Sequence, residues 1–421
     1  MRPVARKLAR PGSAVVTALV AALVLAACGG GESGVVTLRM YDSTATKDGT
    51  EPIIAAFNAS HPKIKMNVQY IPTVKLGQVE TTQLQAGNPP DIIGPSPGSG
   101  GGSTGLSLYK LAKAGKLVDL SDRPWARDLP ELLKPTATYE GKVYSLVGGL
   151  STQFMDYTVP DMEKFGLKPP QDFAQLLALC KQAREHGTYA FVAGAADMAG
   201  NRMLLQSFAA ANVYSQEPDW DAKRAAGKTT FQSTPGWHKV FQQVQDMINA
   251  DCYYPGGAGR TTEEGKRMQV SGKSLMGIGP STAATYLTAR NPQRKWAAAP
   301  VPGGLGTALP LEVGGSSIPK DSKHIPEALV FLDYMAQHRD ELARNTGAFS
   351  PAMMSRGELP DFLGPLEPLA KQGKFALGAG IMWPSEAPAQ AAYKAMTGLY
   401  NGQVKVDDIL RAMDDAWAAN P

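Results

Sequence analysis

Residues 94–98 read Gly-Pro-Ser-Pro-Gly, a literal G-x-S-x-G. That spacing sets a nucleophilic serine on a strand-to-helix turn, with the next backbone N–H as an oxyanion donor. Pro97 follows Ser96 and has no N–H to give, and the glycine-rich text beyond it starts no helix. Gly272-Lys273-Ser274 has the ending of a phosphate-binding loop, but Arg267 stands where its first glycine is needed. Gly304-Leu305-Gly306 opens a dinucleotide fingerprint that Leu309 breaks at the third glycine. His61, His186, His238, His324 and His338 form no H-x-x-x-H pair, so no zinc site is suggested. No catalytic residue, metal or cofactor is expected.

Cys28 is the reactive residue whose place is informative. It follows the apolar run Ala14–Ala27 and precedes Gly29-Gly30-Gly31. Arg2, Arg6, Lys7 and Arg10 form a basic start, with no acid before Glu32. The apolar run is too short for a bilayer and suits the core of a signal peptide. Leu25-Ala-Ala-Cys28 resembles the lipobox of bacterial lipoproteins, in which the cysteine is lipidated and becomes the first residue. Two or more acyl chains there would anchor the chain stably. Residues 1–27 are therefore expected to be a signal peptide and 28–35 a lipidated tether. Their loss would remove four of the 42 Lys+Arg and leave 38, against 38 Asp+Glu. No basic surplus then remains to support nucleic-acid binding. The processed chain exceeds a typical single domain, so two lobes are expected.

Strand and helix patterns alternate along the chain. Val36, Leu38 and Met40 alternate as a strand, and Thr50–Ser60 reads as a helix stopped by His61-Pro62. Ile64, Met66, Val68 and Tyr70 alternate again, a helix covers about 76–86, and Asp91-Ile92-Ile93 is a short buried strand. The text from Gly94 to Gly105 is too rich in glycine and proline for any element. Tyr139–Val147, with Glu140-Gly141 as a turn, reads as a strand leaving a first lobe. In the second lobe, helices are expected at 172–185 and 201–211, with strands at 189–192 and 275–278. Trp237 and Trp417 sit on clean helical stripes and are expected in the core. Cys180 and Cys252 can pair in an oxidising compartment. The alternative is that Cys180 is a small buried hydrophobe beside Phe173, Leu176 and Leu177. The alternation of strand and helix predicts an α/β first lobe with a largely parallel sheet.

The series of short motifs then becomes specific. Tyr41-Asp42, Ala86-Gly-Asn-Pro-Pro-Asp91-Ile-Ile93, Leu111-Ala-Lys-Ala-Gly-Lys-Leu117 and Tyr139-Glu-Gly-Lys-Val-Tyr144 come in sequence. Phe165-Gly-Leu-Lys-Pro-Pro170, Ser271-Gly-Lys-Ser-Leu-Met276, Ala299-Pro-Val-Pro302, Val313-Gly-Gly315 and Glu327-Ala-Leu-Val-Phe-Leu332 follow. Together they resemble the family 1 extracellular solute-binding proteins, the receptors of carbohydrate ABC importers, from about Val36 to the C-terminus. The resemblance implies a hinged, two-lobed periplasmic-binding-protein fold of type II, like that of maltodextrin-binding proteins, with a ligand cleft between lobes. It places hinge crossings near Val147–Ser151, Gly314–Ser316 and 350–360. The lobes would then be 36–147 plus 316–355 and 150–313 plus 360–421. Implied partners are a small-molecule carbohydrate and the permease subunits of a transporter, with membrane contact only through the lipid on the extracytoplasmic face. A monomer is expected.

In open α/β sheets ligands sit beyond the carboxyl ends of the strands. Loops at 41–45, 94–103, 194–201 and 279–286 are delivered there. Rings suit the apolar faces of sugars, and short polar side chains suit their hydroxyls. Expected ligand-binding residues are Tyr41, Asp42, Ser96, Gln153, Asp197, Asn201, Tyr286, Gly315, Trp383 and Glu386; Asn201 could instead cap a helix. The maltodextrin-type pattern often has tryptophans where Pro95 and Ser281 stand here. Two stacking platforms are thus missing, which favours a smaller or more polar sugar, or a glycerophospho-compound, over a long maltooligosaccharide. Tyr253-Tyr254 resemble the tandem tyrosines of some ferric-iron transport proteins; the plain alternative is that they close a helix before Pro255. Asp42 and Glu386 could also flank a glycosidic bond in a secreted glycosidase, though nothing requires it.

Overall fold

The computed structural model describes residues 34–98 and 105–419, so the leader, Cys28 and the centre of the glycine loop lie outside the described residues. β1 (Val36–Ser43) and β2 (Ile64–Ile71) pair in parallel, from Val36 opposite Ile64 to Ser43 opposite Ile71. Parallel strands need a crossover, which α1 (Lys47–Ser60) supplies, burying Ile53, Ile54 and Phe57. α2 (Thr73–Gln85) returns the chain to the other edge of β1. There Ile92 bridges Met40, Ile93 bridges Ser317 antiparallel, and Leu117 bridges Pro319. Asp91–Ile93 is thus a set of bridges rather than a full strand, because Pro89-Pro90 and Pro95 leave only a few residues free to pair.

α3 (Leu108–Lys113) starts where the Ser107 hydroxyl accepts the Lys110 N–H. After α4 (Lys134–Ala137), the expected turn at Glu140-Gly141 closes a tight hairpin, β3 (Thr138–Tyr139) with β4 (Lys142–Val143), so the stretch 139–147 is not one continuous strand. Glu140 and Gly141 turn it with φ of 48° and 76°, the two positive values that a two-residue hairpin needs.

β5 (Leu146–Thr158) is the longest strand. It leads to α5 (Val159–Lys164), α6 (Phe173–Glu185), α7 (Ala199–Ala209), α8 (Trp220–Ala225) and α9 (Pro235–Asn249). A π-helical turn at Ala210–Tyr214 extends α7. Next come α10 (Thr262–Val270), β6 (Met276–Pro280), α11 (Ala283–Arg290), β7 (Trp296–Ala299) and β8 (Leu309–Ser316). The expected strand 189–192 is reduced to one bridge, Phe191 with Tyr253. α12 (Ile325–Gln337) and α13 (Arg339–Asn345) pack back on the first lobe. α14 (Pro351–Arg356), α15 (Glu367–Lys371), β9 (Phe375–Leu377), α16 (Ala387–Leu399) and α17 (Val406–Ala418) complete the chain.

Four apolar cores follow from this path among the described residues, the smallest around Ile93, Leu108 and Leu117. One packs Leu38, Phe57, Ile92, Phe331 and Leu332 beneath the first sheet. The largest lies in the second lobe, where Trp220, Phe231, Trp237, Trp383 and Trp417 form a ring cluster with centroids 4.9–6.5 Å apart. Trp237 and Trp417 are core residues, as their helical period predicts. A third packs Leu150, Phe154, Leu311, Phe349 and Leu363 alongside β5 and β8. Cys180 and Cys252, both fully buried, form a disulfide with Cα atoms 4.8 Å apart that ties α6 to the segment after α9.

Candidate functional site

β5 and β8 run antiparallel, and β5 pairs with different strands along its length. Leu146–Thr152 pairs with β8, and Gln153–Thr158 pairs with β6 and β7. The pairing slips at a bulge between Val147 and Gly149, facing Gly314 and Gly315. A bulge and glycines weaken and bend a ladder locally. Beside this point Phe349 bridges Leu150, where the chain passes a third time.

A cavity of about 260 Å³ opens at this junction. β1 ends in it with Tyr41 and Asp42, α1 contributes Thr46 and Thr50, and α2 contributes Glu80. Gly94, Gly148, Gly149, Gly314 and Gly315 also line it. Asp42 Oδ1 accepts from the Ser43 N–H at 2.7 Å and from the Thr46 hydroxyl at 3.1 Å. Burial raises the Asp42 pKa, against the lowering effect of these donors. Glu80 is fully buried; its Oε1 accepts the Gly94 N–H at 3.2 Å and its Oε2 has no partner. Burial, helped by the Asp42 charge, pushes the Glu80 carboxyl up to about 7. A polar atom left unpaired in a buried pocket is costly unless something fills the place.

Of the expected ligand residues, Tyr41, Asp42 and Gly315 line this cavity. Ser96 stands nearby, where its backbone bridges Ser107 before α3. The second-lobe residues are placed differently. Gln153 is buried, its amide donating to Gln206. Asn201 is buried within α7 and donates to the Tyr393 carbonyl and Thr397 hydroxyl, tying α7 to α16. It does not cap α7, whose N-cap is Met198. Asp197 accepts from the Thr262 N–H and hydroxyl at the start of α10. Tyr286 lies on α11 rather than in a loop, donating to Glu263 with Lys266 and Arg290 over its ring.

Trp383 needs a correction. It is fully buried in the ring cluster and donates from Nε1 to Asp221, so its face offers no platform to a ligand. Glu386 is the N-cap of α16, half-buried and raised in pKa by burial, near Arg202. Arg202 pairs with Glu312 of β8, beside the hinge glycines. Glu80, Arg202 and Glu312 were missed by sequence reasoning. For Glu80 no local signal existed, since α2 has no strong apolar stripe to mark its inward face. Tyr253 packs against Tyr400 and donates to Met247, while Tyr254 packs with Tyr189 beneath Arg260. This is the packing of a helix end rather than a pair of metal donors.

The model of one protein family, described as bacterial extracellular solute-binding protein, matches residues 52–355. The chain belongs to that family. A binding protein of Brucella abortus (strain 2308) is 24% identical to this solute-binding protein over 401 residues, covering 92% of this chain and 93% of the relative. Among solved structures, RafE in complex with raffinose superposes with a TM-score of 0.70. It shares 21% identity and covers 91% of this chain and 98% of its own. A sugar transporter protein of Bacillus licheniformis in complex with stachyose also gives 0.70, at 16% identity, with coverages of 92% and 100%. The solute-binding protein therefore shares their two-lobed α/β fold. Among its described residues no helix is long and apolar enough to cross a membrane.

Proposed function

We propose that this solute-binding protein is the receptor of an ABC importer that takes a small carbohydrate between its lobes and hands it, unaltered, to a membrane permease. The observation that carries this reading is the cavity at the junction of β5 and β8, with Tyr41 and Asp42 at the end of β1. One ring, short hydroxyl side chains and carboxylates suit the faces and hydroxyls of a sugar. Relatives of the same fold hold raffinose and stachyose, which supports the class of ligand without naming it. No step of chemistry on the ligand is required, so the chain acts as a receptor rather than an enzyme.

The lobes divide at 36–147 plus 316–355 and 150–313 plus 360–421, and the bulged, glycine-rich hinge lets them close. A ligand touching both lobes favours the closed form by no more than its differential affinity for it. Residues 1–27 direct export, and Cys28 carries the lipid that holds a monomeric receptor near its permease, raising the effective concentration. A thermal-shift screen of the processed chain against hexoses, raffinose, stachyose and cello- and xylo-oligosaccharides tests the carbohydrate reading. A binder raises the melting temperature by mass action. If no carbohydrate shifts it while glycerophospho-compounds do, the ligand class is wrong.

A further inference from the structure

The cavity beside the hinge holds two carboxylates and no cation. Asp42 and Glu80 face it from β1 and α2, and among the described residues that line it there is no Lys, Arg or His. The stretch Ser99–Thr104 of the neighbouring loop has no charged residue in its sequence either. Asp42 keeps two donors on Oδ1, but Glu80 has one long hydrogen bond and an Oε2 that is buried and unpartnered. The rest of the wall is largely apolar: Ile53, Leu76, Ile92, Met335 and Leu342.

A neutral polyol could donate hydroxyls to these oxygens. It could not supply a counter-charge for buried Asp42, nor let Glu80 ionise beside it. An ammonium group does both, because it only donates and it carries the opposite charge. We infer that the Asp42–Glu80 cavity receives the positively charged amine of an aminated carbohydrate. This rests on the carbohydrate reading above and narrows it. A volume of about 260 Å³ suits a single ring more than a chain.

The inference implies a proton count. Empty, the pair keeps a proton on Glu80 because burial and the Asp42 charge oppose its ionisation. The other groups facing the pair do not supply a cation. Thr46 and Thr50 of α1 are neutral, Tyr70 of β2 bonds Thr50, and Lys47 is paired with Glu51 at the surface. α12 and α13 present Met335, Leu342, Ala343 and Thr346. An ammonium entering the cavity therefore displaces the Glu80 proton to solvent.

Titration calorimetry on the wild-type chain at about pH 5.5, well below the Glu80 value of about 7, tests this, with glucosamine, galactosamine and mannosamine against their N-acetylated and neutral parents, raffinose and stachyose. At least one amine should bind tenfold or more tightly than its neutral parent. Its heat should also differ between buffers of different ionisation enthalpy by close to one proton released. Glu80→Gln should erase the preference, and Asp42→Asn should reduce it if the first variant fails to fold. Neutral sugars binding as well as the amines, or amine binding without proton release, overturns this inference and leaves the carbohydrate reading standing. Binding by none of these sugars overturns this inference, and a blank in the wider thermal-shift screen as well overturns the carbohydrate reading.

Discussion

Gly98, at φ +71°, lies so close to Ile381 that a Cβ on it would stand 2.2 Å from the Ile381 carbonyl oxygen. The glycine loop after the Asp91–Ile93 bridges thus touches the segment that leads into α16. Only glycine allows both the left-handed backbone and the approach. Gly98→Ala should weaken ligand binding about tenfold, or ~1.4 kcal/mol, by holding the two sides apart. Affinity for the carbohydrate found in the screen measures this, and unchanged affinity would mean that the contact plays no part in binding.

Trp383 should prove structural. Its ring is enclosed by Trp220, Phe231, Trp237 and Trp417, and its Nε1 shares Asp221 Oδ1 with the Tyr214 hydroxyl. Trp383→Ala should cost about 3–5 kcal/mol of stability, the usual range for a large buried ring. Ligand affinity of the folded fraction should stay unchanged. Denaturant unfolding and titration on the same variant separate the two.

The disulfide closes a sequence separation of 72 residues. Chain-entropy reasoning assigns such a loop roughly 4 kcal/mol. Cys180→Ala with Cys252→Ala should lower the melting temperature and leave binding at the hinge intact. Mass mapping of the non-reduced protein should find the 180–252 linkage.

Stability should fall as pH rises through neutrality in the absence of ligand. Burial pushes Glu80 and Asp156 up to about 7 from ordinary values of 4.5 and 3.8. Between those limits the folded state holds more protons than the unfolded chain, so raising the pH favours unfolding. The groups held low, such as Asp119, Asp340 and Glu358, act below about pH 4.5 and do not oppose this. Melting temperatures should drop from pH 5.5 to 7.5, and Asp156→Asn or Glu80→Gln should flatten the slope. A rise over that interval would contradict the burial argument.

The fold was largely legible because its signals were periodic. Alternation along Val36–Met40 and Ile64–Tyr70, and the helical stripe through Trp237, became the elements they indicated. Legibility failed where burial depends on contacts distant in sequence. Trp383 stands in a Pro- and Gly-rich stretch without a period, yet it packs on Trp220 and Trp237, far away in the chain. Gln153 and Asn201 are polar residues whose amide N–H groups are turned to Gln206, Tyr393 and Thr397, contacts distant in sequence, while the amide oxygen of each stays buried without a partner. Glu80 was invisible because nothing near it in sequence marks a carboxylate facing Gly94 and Asp42 across a cavity. That Tyr41 and Asp42 would face a cavity was legible because a strand end is both a local and a topological signal.

Small-angle scattering of the processed chain, with and without a saturating carbohydrate identified by the thermal-shift screen, tests the central claim most directly. Closure of two lobes about β5 and β8 predicts a smaller radius of gyration in the bound form. A sugar that binds tightly and leaves the scattering curve unchanged would contradict it.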